Sequence, residues 1–184
     1  MPIETRPLWK DLPQLPFAER DRRWSAIHRQ MGENGLDALL VWGSGRGEHL
    51  RYVSQLGVRG VALLAPQKDP VVFTNGLVAS QYVRFGTNWV DNVRSDIENL
   101  PAALTELGLD GKTIGVVTLK SPHSRLQGEG GLPGAGWIQG ALPRVRLVDA
   151  TRILEDLEMI KSPAELEFLG RAADIAYDVF QAIA

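Results

Sequence analysis

The closing segment of the chain, residues 159–184, constrains the fold more than any other stretch. It opens with the sequence MIKSPAE, which has the features of a helix start. Ser162 suits an N-cap because its hydroxyl accepts from backbone N–H groups of the first turn, and Pro163 suits the first helical position, where no N–H donor is needed. Glu165 follows Ser162 by three residues and closes a capping box. A helix is therefore predicted to begin at Pro163.

The predicted helix carries two apolar stripes, whereas a surface helix on a small domain shows one apolar face. The first stripe consists of Leu166, Leu169, Ala173, Tyr177 and Phe180, and the second of Phe168, Ala172, Ile175, Val179 and Ile183. No Gly, Asn or Pro stop signal follows the pattern at Ala184. We expect a helix that is buried from two directions and that opens a further domain. The alternative is a terminal helix of a complete domain, or a helix that dimerises.

Composition indicates a protein of ordinary globular type. The 184 residues suit one domain with short extensions, and the hydrophobic share of 44% is enough for a core. The net charge of −2 argues against binding to nucleic acid or to an anionic membrane. The chain has no cysteine, no apolar signal-peptide core and no run near ~18 apolar residues. These features predict a cytoplasmic protein without disulfides or thiolate metal sites.

The hydrophobic pattern alternates between strand-like and helix-like stretches after a proline-rich arm over residues 1–16. The strand candidates are 37–42, 58–66, 70–75, 89–93, 113–119 and 144–149. The helix candidates are 17–31, 77–85, 100–107, 137–142 and 151–157. Only three residues separate the second and third strands, which predicts an antiparallel hairpin. The fold class predicted is α/β, with a mixed sheet covered by helices on both faces.

No motif in the chain carries a complete catalytic constellation. The glycine-rich stretch 43–47 lacks the third glycine of the dinucleotide fingerprint, since Glu48 occupies that position, and the residues that follow are not convincingly helical. No serine lies in a Gly-x-Ser-x-Gly elbow. His28 lies on the apolar face of the first helix, and His123 follows a strand end. Neither has a second ligand at metal-site spacing, so we predict no catalytic and no metal-binding residue in this chain.

One polar cluster stands out after the first strand. His49 lies close to Arg51 and Tyr52, in a segment that also contains Glu48. These side chains are the candidates for contact with a ligand. The competing interpretation is a polar segment that packs on its own domain.

Several segments resemble the N-terminal domain of the creatinase, prolidase and aminopeptidase P family of "pita-bread" metallohydrolases. The resemblance rests on GLDALLV at residues 35–41, RYVSQL at residues 51–56 and IKSPAEL at residues 160–166. It runs from about residue 17 to residue 184. It implies a ribonuclease-H-like α/β domain over residues 17–150. Residues 151–184 would then be a linker and the first helix of a catalytic domain.

The resemblance also implies a division of roles. In that family the catalytic domain follows and holds two divalent metal ions, such as Mn, Zn or Co, on two Asp, one His and two Glu; creatinase itself is a metal-free variant. None of these ligands maps onto this chain. Some N-terminal domains reach an active site, often that of a partner subunit, so His49, Arg51 and Tyr52 are candidate substrate contacts here. An Arg could hold a substrate carboxylate through two hydrogen bonds.

The sequence departs from the family at two places. RYVSQL replaces a more usual RYLTGF, and Glu158 stands where an Arg commonly precedes the Lys-Ser junction. The function we expect is that of a non-catalytic N-terminal domain of an Xaa-Pro peptidase-like metal-dependent hydrolase. It would shape the pocket for a peptide or small-molecule substrate and build a homodimer. The alternatives are a stand-alone binding or scaffold domain, or part of a creatinase-like amidinohydrolase.

Overall fold

A computed structural model describes residues 14–44, 48–74, 89–117 and 135–183. The strands are β1 (Ala38–Ser44), β2 (Arg59–Leu64), β3 (Val71–Thr74), β4 (Asn92–Arg94), β5 (Thr113–Val117) and β6 (Arg146–Asp149). The helices are α1 (Phe17–Glu33), α2 (Glu48–Ser54), α3 (Leu100–Glu106), α4 (Ala135–Ala141), α5 (Thr151–Met159) and α6 (Pro163–Ile183). A 3-10 turn at Ile97–Asn99 leads into α3. Residues 1–13 of the predicted arm and the predicted helix 77–85 lie outside the described residues.

The six strands form one mixed sheet in the order β4-β3-β2-β1-β5-β6. The neighbours β1–β2 and β2–β3 are antiparallel, so the predicted hairpin is confirmed. The pairs β1–β5, β5–β6 and β3–β4 are parallel. The predicted mixed α/β class is therefore confirmed.

The two faces of the sheet carry separate hydrophobic cores, which explains the almost wholly apolar sequence of β1. Leu39 and Val41 point into the first core, together with buried side chains of α1, α2 and α5. Leu40 and Trp42 point to the opposite face, which α3 and α4 cover. A strand buried on both faces has no solvent side on which to place polar residues.

Helix α2 corrects the expectation that residues 50–53 are not helical. Leu50 and Val53 are three positions apart on the helix and both are buried in the first core. The hydroxyl of Ser54 donates to the carbonyl of Leu50 at 2.6 Å and accepts from the N–H of Leu56 at 3.1 Å. The burial and this local closure outweigh the weak helix propensity of a seven-residue segment.

The segment interpreted as a linker begins with a packed helix. Ile153 and Leu154 of α5 are buried in the first core, and Leu157 packs against it. Strand β4 begins at Asn92, three residues later than the pattern indicated, and Trp89 and Val90 ahead of it are buried in the core. The predicted domain boundary at residue 150 remains a prediction.

Helix α6 begins at Pro163, as predicted, and runs for 21 residues with none of them buried. Its apolar side chains are exposed on both predicted stripes; Ile175 is 66% exposed and Phe180 is 74% exposed. The described part of the chain therefore covers neither stripe. Among the described residues, no helix is both long and apolar enough to cross a membrane.

Candidate functional site at the start of the last helix

Charged side chains from two helices meet where α6 leaves the body of the molecule. Glu19, Arg22 and Arg23 come from α1, and Glu165 comes from the first turn of α6. Together with Tyr52 of α2, these residues are called the junction cluster below. Glu19 and Arg23 are buried, with Arg23 only 3% exposed. Buried charges are rare unless they are paired. The contacts of this cluster therefore decide whether its charges can be buried.

Arg23 lies at the centre of the cluster and uses three of its nitrogens. Its Nε donates to Glu19 Oε1 at 2.8 Å, and its Nη1 donates to the carbonyl of Tyr52 at 2.8 Å. Its Nη2 lies 3.1 Å from Glu165 Oε1. The guanidinium carbon is 4.1 Å from the ring centre of Tyr52 and 4.9 Å from that of Trp89. The planar group is thus held both by hydrogen bonds in its plane and by aromatic rings.

Glu165 joins this cluster to the helix start. Its Oε2 accepts from the backbone N–H of Ser162 at 2.8 Å, and the hydroxyl of Ser162 accepts from the N–H of Glu165 at 3.1 Å. The predicted capping box is therefore confirmed. The same Oε2 accepts from Arg22 Nη2 at 3.4 Å. One carboxylate thus closes the first turn of α6 and also pairs with two arginines of α1.

The cluster holds the carboxylate of Glu19 in the ionised form. Burial acts to raise the pKa of Glu19, but hydrogen bonds from Arg22, Arg23 and the hydroxyl of Ser162 outweigh it and lower the pKa to about 2. The hydrogen bond to Glu19 raises the pKa of Arg22. Burial raises the pKa of the Tyr52 phenol. Glu19 is therefore ionised and Arg22 and Tyr52 keep their protons at neutral pH, which suits holding a geometry and not transferring a proton.

The three candidate substrate contacts lie in different surroundings along α2. Tyr52 is 7% exposed; one face of its ring meets Arg23, and its hydroxyl donates to the carbonyl of Leu157 at 3.5 Å. His49 is half-buried, and its Nδ1 lies 2.9 Å from Glu158 Oε1. Arg51 is exposed. Their role as substrate contacts stays a prediction.

The partner of His49 is one of the two departures from the family pattern. Glu158 is the last acidic residue of α5, and its carboxylate lies beside an imidazole of α2. An Arg at that position would place a cation beside His49. The replacement by Glu158 therefore fits its surroundings in this chain.

The part of the chain that the structure describes contains no group of three or more His, Asp or Glu side chains that could hold a metal ion. The junction cluster has only two carboxylates, and both are neutralised by arginines. The described residues thus do not fit a divalent metal site. The arrangement can orient and hold a helix.

Sequence reasoning missed Glu19, Arg22 and Arg23, although a signal for two of them was present. Glu19 and Arg23 are four residues apart, and Ile27 and Met31 continue the same row at the same spacing. That row is the buried stripe of α1. An acid and a base in register with a buried stripe indicate a buried ion pair.

Comparisons with known proteins agree with this fold. A family model described as "Creatinase/Prolidase N-terminal domain" matches residues 23–160. The match spans well over half of the chain, and the chain therefore belongs to the creatinase/prolidase N-terminal domain family. A comparison with curated protein sequences finds no significant match.

Several solved structures have the same fold. An Xaa-Pro dipeptidase from Bacillus anthracis matches with a TM-score of 0.66 and 19% identity, over 89% of this chain and 42% of that one. A prolidase from Pyrococcus horikoshii matches with a TM-score of 0.60 and 16% identity, over 88% of this chain and 42% of that one. The N-terminal domain of a cytoplasmic peptidase from Mycobacterium tuberculosis matches with a TM-score of 0.55 and 24% identity, over 76% of this chain and 98% of that one.

These matches differ in how much of the other chain they include. The chain spans less than half the length of the dipeptidase and the prolidase, but it is similar to almost all of the N-terminal domain from Mycobacterium tuberculosis. At such low identity the likeness establishes the fold alone.

Proposed function

We propose that this chain is the non-catalytic N-terminal part of a metal-dependent hydrolase of the Xaa-Pro peptidase type. The observation that carries the proposal is helix α6, whose two apolar stripes are exposed over 21 residues. Large exposed apolar patches on a soluble protein mark interaction surfaces. A catalytic domain packed around α6 would bury both stripes.

The comparisons support this choice of partner. The match covers only 42% of the Xaa-Pro dipeptidase from Bacillus anthracis. In that protein the fold of this chain is therefore one part of a longer chain. Among the described residues, no group of three or more His, Asp or Glu side chains could hold a metal ion. The two divalent ions, Mn, Zn or Co, would therefore be bound by the catalytic domain, where a metal ion can activate a water and polarise an amide oxygen.

The role of this domain would be to shape the substrate pocket and to form a homodimer. Arg51 is exposed, and its guanidinium would reach a substrate carboxylate. His49 and Tyr52 would hold α2 in place through their contacts with α5. The working compartment would be the cytoplasm, in keeping with a sequence that has no cysteine.

The division of roles is tested with two proteins. The 184-residue chain and the product of the complete reading frame are purified and given an Xaa-Pro dipeptide with Mn²⁺, Zn²⁺ or Co²⁺. We expect cleavage by the longer product only. Metal-dependent cleavage by the 184-residue chain would refute the division of roles. If the complete reading frame stops at codon 184 and its product does not cleave, the stand-alone binding or scaffold domain replaces the peptidase assignment.

The substrate class is tested separately on the longer product. Creatine is offered beside the Xaa-Pro dipeptide, with and without chelator. Chelator-sensitive cleavage of the dipeptide supports the peptidase assignment. Chelator-resistant hydrolysis of creatine would replace it with a creatinase-like amidinohydrolase.

A further inference from the structure

The contacts that attach α6 to the body are concentrated at the N-terminal end of the helix. None of the residues of α6 is buried, and every residue from Leu169 to Ile183 is exposed. Ser162, which immediately precedes it, is buried, and Glu165 of its first turn is 11% exposed. The attachment seen among the described residues therefore lies at the start of the helix, where Glu165 supplies polar contacts.

The chain before α6 is short and extended. Helix α5 ends at Met159, and Ile160 adopts φ −96° and ψ 106°, which is an extended conformation. Only Ile160, Lys161 and Ser162 separate the two helices. A few residues with free backbone dihedrals would allow a 21-residue helix to point in many directions, because each residue has several accessible φ/ψ wells. The direction of α6 must be set by contacts at its base.

The junction cluster contacts the first turn of α6 through the carboxylate of Glu165. Glu165 Oε1 pairs with Arg23, and Glu165 Oε2 accepts from Arg22 and from the N–H of Ser162. Arg23 has little freedom to follow a moving partner, because it is buried, bonded to the carbonyl of Tyr52 and placed against two aromatic rings. We propose that Glu165 is a positioning residue that locks the direction in which α6 leaves the body. The lock belongs to this chain and does not depend on which domain or partner α6 meets.

The lock is tested with distance measurements on the full 184-residue chain. The chain contains no cysteine, so Arg29→Cys on α1 and Asp178→Cys on α6 give two unique sites for nitroxide labels. Double electron–electron resonance then reports the distribution of distances between the helices. An excess of unlabelled protein suppresses signals between molecules that associate.

The decisive variant is Glu165→Gln. Gln also completes a capping box, so the helix start is retained while the ion pairs with Arg22 and Arg23 are lost. We expect a narrow distribution for the parent chain and a broadened or shifted distribution for this variant, with unchanged helix content by circular dichroism.

The matched control is Glu167→Gln, which makes the same chemical change two residues away. Glu167 is exposed and pairs with Arg171 of its own helix at the surface. We expect this variant to leave the distribution unchanged. An unchanged distribution for Glu165→Gln, or an equally broad one for the parent chain, would overturn the proposal. Neither result bears on the peptidase assay, so the proposed role of Glu165 and the proposed peptidase function can be refuted independently.

Discussion

Two consecutive arginines on α1 differ in what the fold does with them. Arg22 is 42% exposed, whereas Arg23 lies between two carboxylates and two aromatic rings and is almost fully buried. One step along a helix turns the side chain by about 100°, which is enough to move it from the surface to the interior. The buried partner carries the larger energetic consequence, because an unpaired charge in the interior is costly.

Replacing Arg23 tests this consequence. We expect Arg23→Met to reduce the free energy of unfolding by about 3–5 kcal/mol, because Glu19 and Glu165 lose their buried partner. Urea unfolding followed by circular dichroism measures the change. Arg29→Met on the same helix is the control, since Arg29 is exposed and its pair with Glu33 is at 4.0 Å; we expect it to stay within about 0.5 kcal/mol. Equal effects of the two variants would contradict the role given to Arg23.

The ionised state of Glu19 predicts a pH dependence with a definite sign. Its pKa is about 2, below the ordinary 4.5, so the folded state binds the proton less tightly than the unfolded state does. The stabilisation is complete above the unfolded pKa and is lost as the pH falls from about 4.5 towards 2. We expect the difference in unfolding free energy between the parent chain and Glu19→Gln to shrink over this range. Urea titrations at a series of pH values measure it, and a difference that does not vary with pH would exclude the ionised Glu19 as its source.

At the scale of elements, α2 and α6 differ in whether the local sequence or the tertiary packing accounts for the helix. Helix α2 has a weak helical pattern and exists because Leu50 and Val53 are buried against the sheet. Helix α6 has a strong start signal and forms although none of its residues is buried. Local capping is sufficient to place the start of a helix, but exposed apolar stripes leave it without a tertiary partner.

The exposed stripes predict self-association of the 184-residue chain. We expect sedimentation velocity to show oligomers that increase with concentration, and we expect the triple variant Leu169→Gln, Ile175→Gln and Phe180→Gln to reduce them strongly. The matched control changes the polar residues Glu167, Asp174 and Asp178 of the same helix to Gln. A parent chain that remains monomeric at every concentration, or a control that dissociates as fully as the apolar variant, would show that the stripes are not the cause.

At the scale of the whole molecule, two cores share one sheet, and the position of α5 decides where the first core ends. Ile153 and Leu154 contribute to it from beyond residue 150. The family match also continues to residue 160. The compact body therefore includes α5, while α6 extends from it.

Two truncations test this division. We expect a chain ending after Ser162 to unfold cooperatively, because it keeps both cores. A chain ending after Ala150 should lose about 3–6 kcal/mol, since burial of an Ile or Leu side chain contributes about 1.5–3 kcal/mol. Thermal and urea unfolding measure both. Equal stability of the two truncated chains would place the boundary at residue 150, as the sequence pattern alone suggested.

The sequence by itself determined the features that depend on near neighbours. The capping box at Ser162, the hairpin of β2 and β3 and the mixed α/β class follow from spacing and periodicity, because capping, turns and burial patterns act over a few residues. The tertiary structure alone decided that residues 48–54 form a helix and that Arg22 and Glu165, 143 residues apart, lie side by side. Such contacts depend on how the sheet brings distant helices together. A pattern of neighbouring residues does not indicate which residues far apart in the sequence will be close in space.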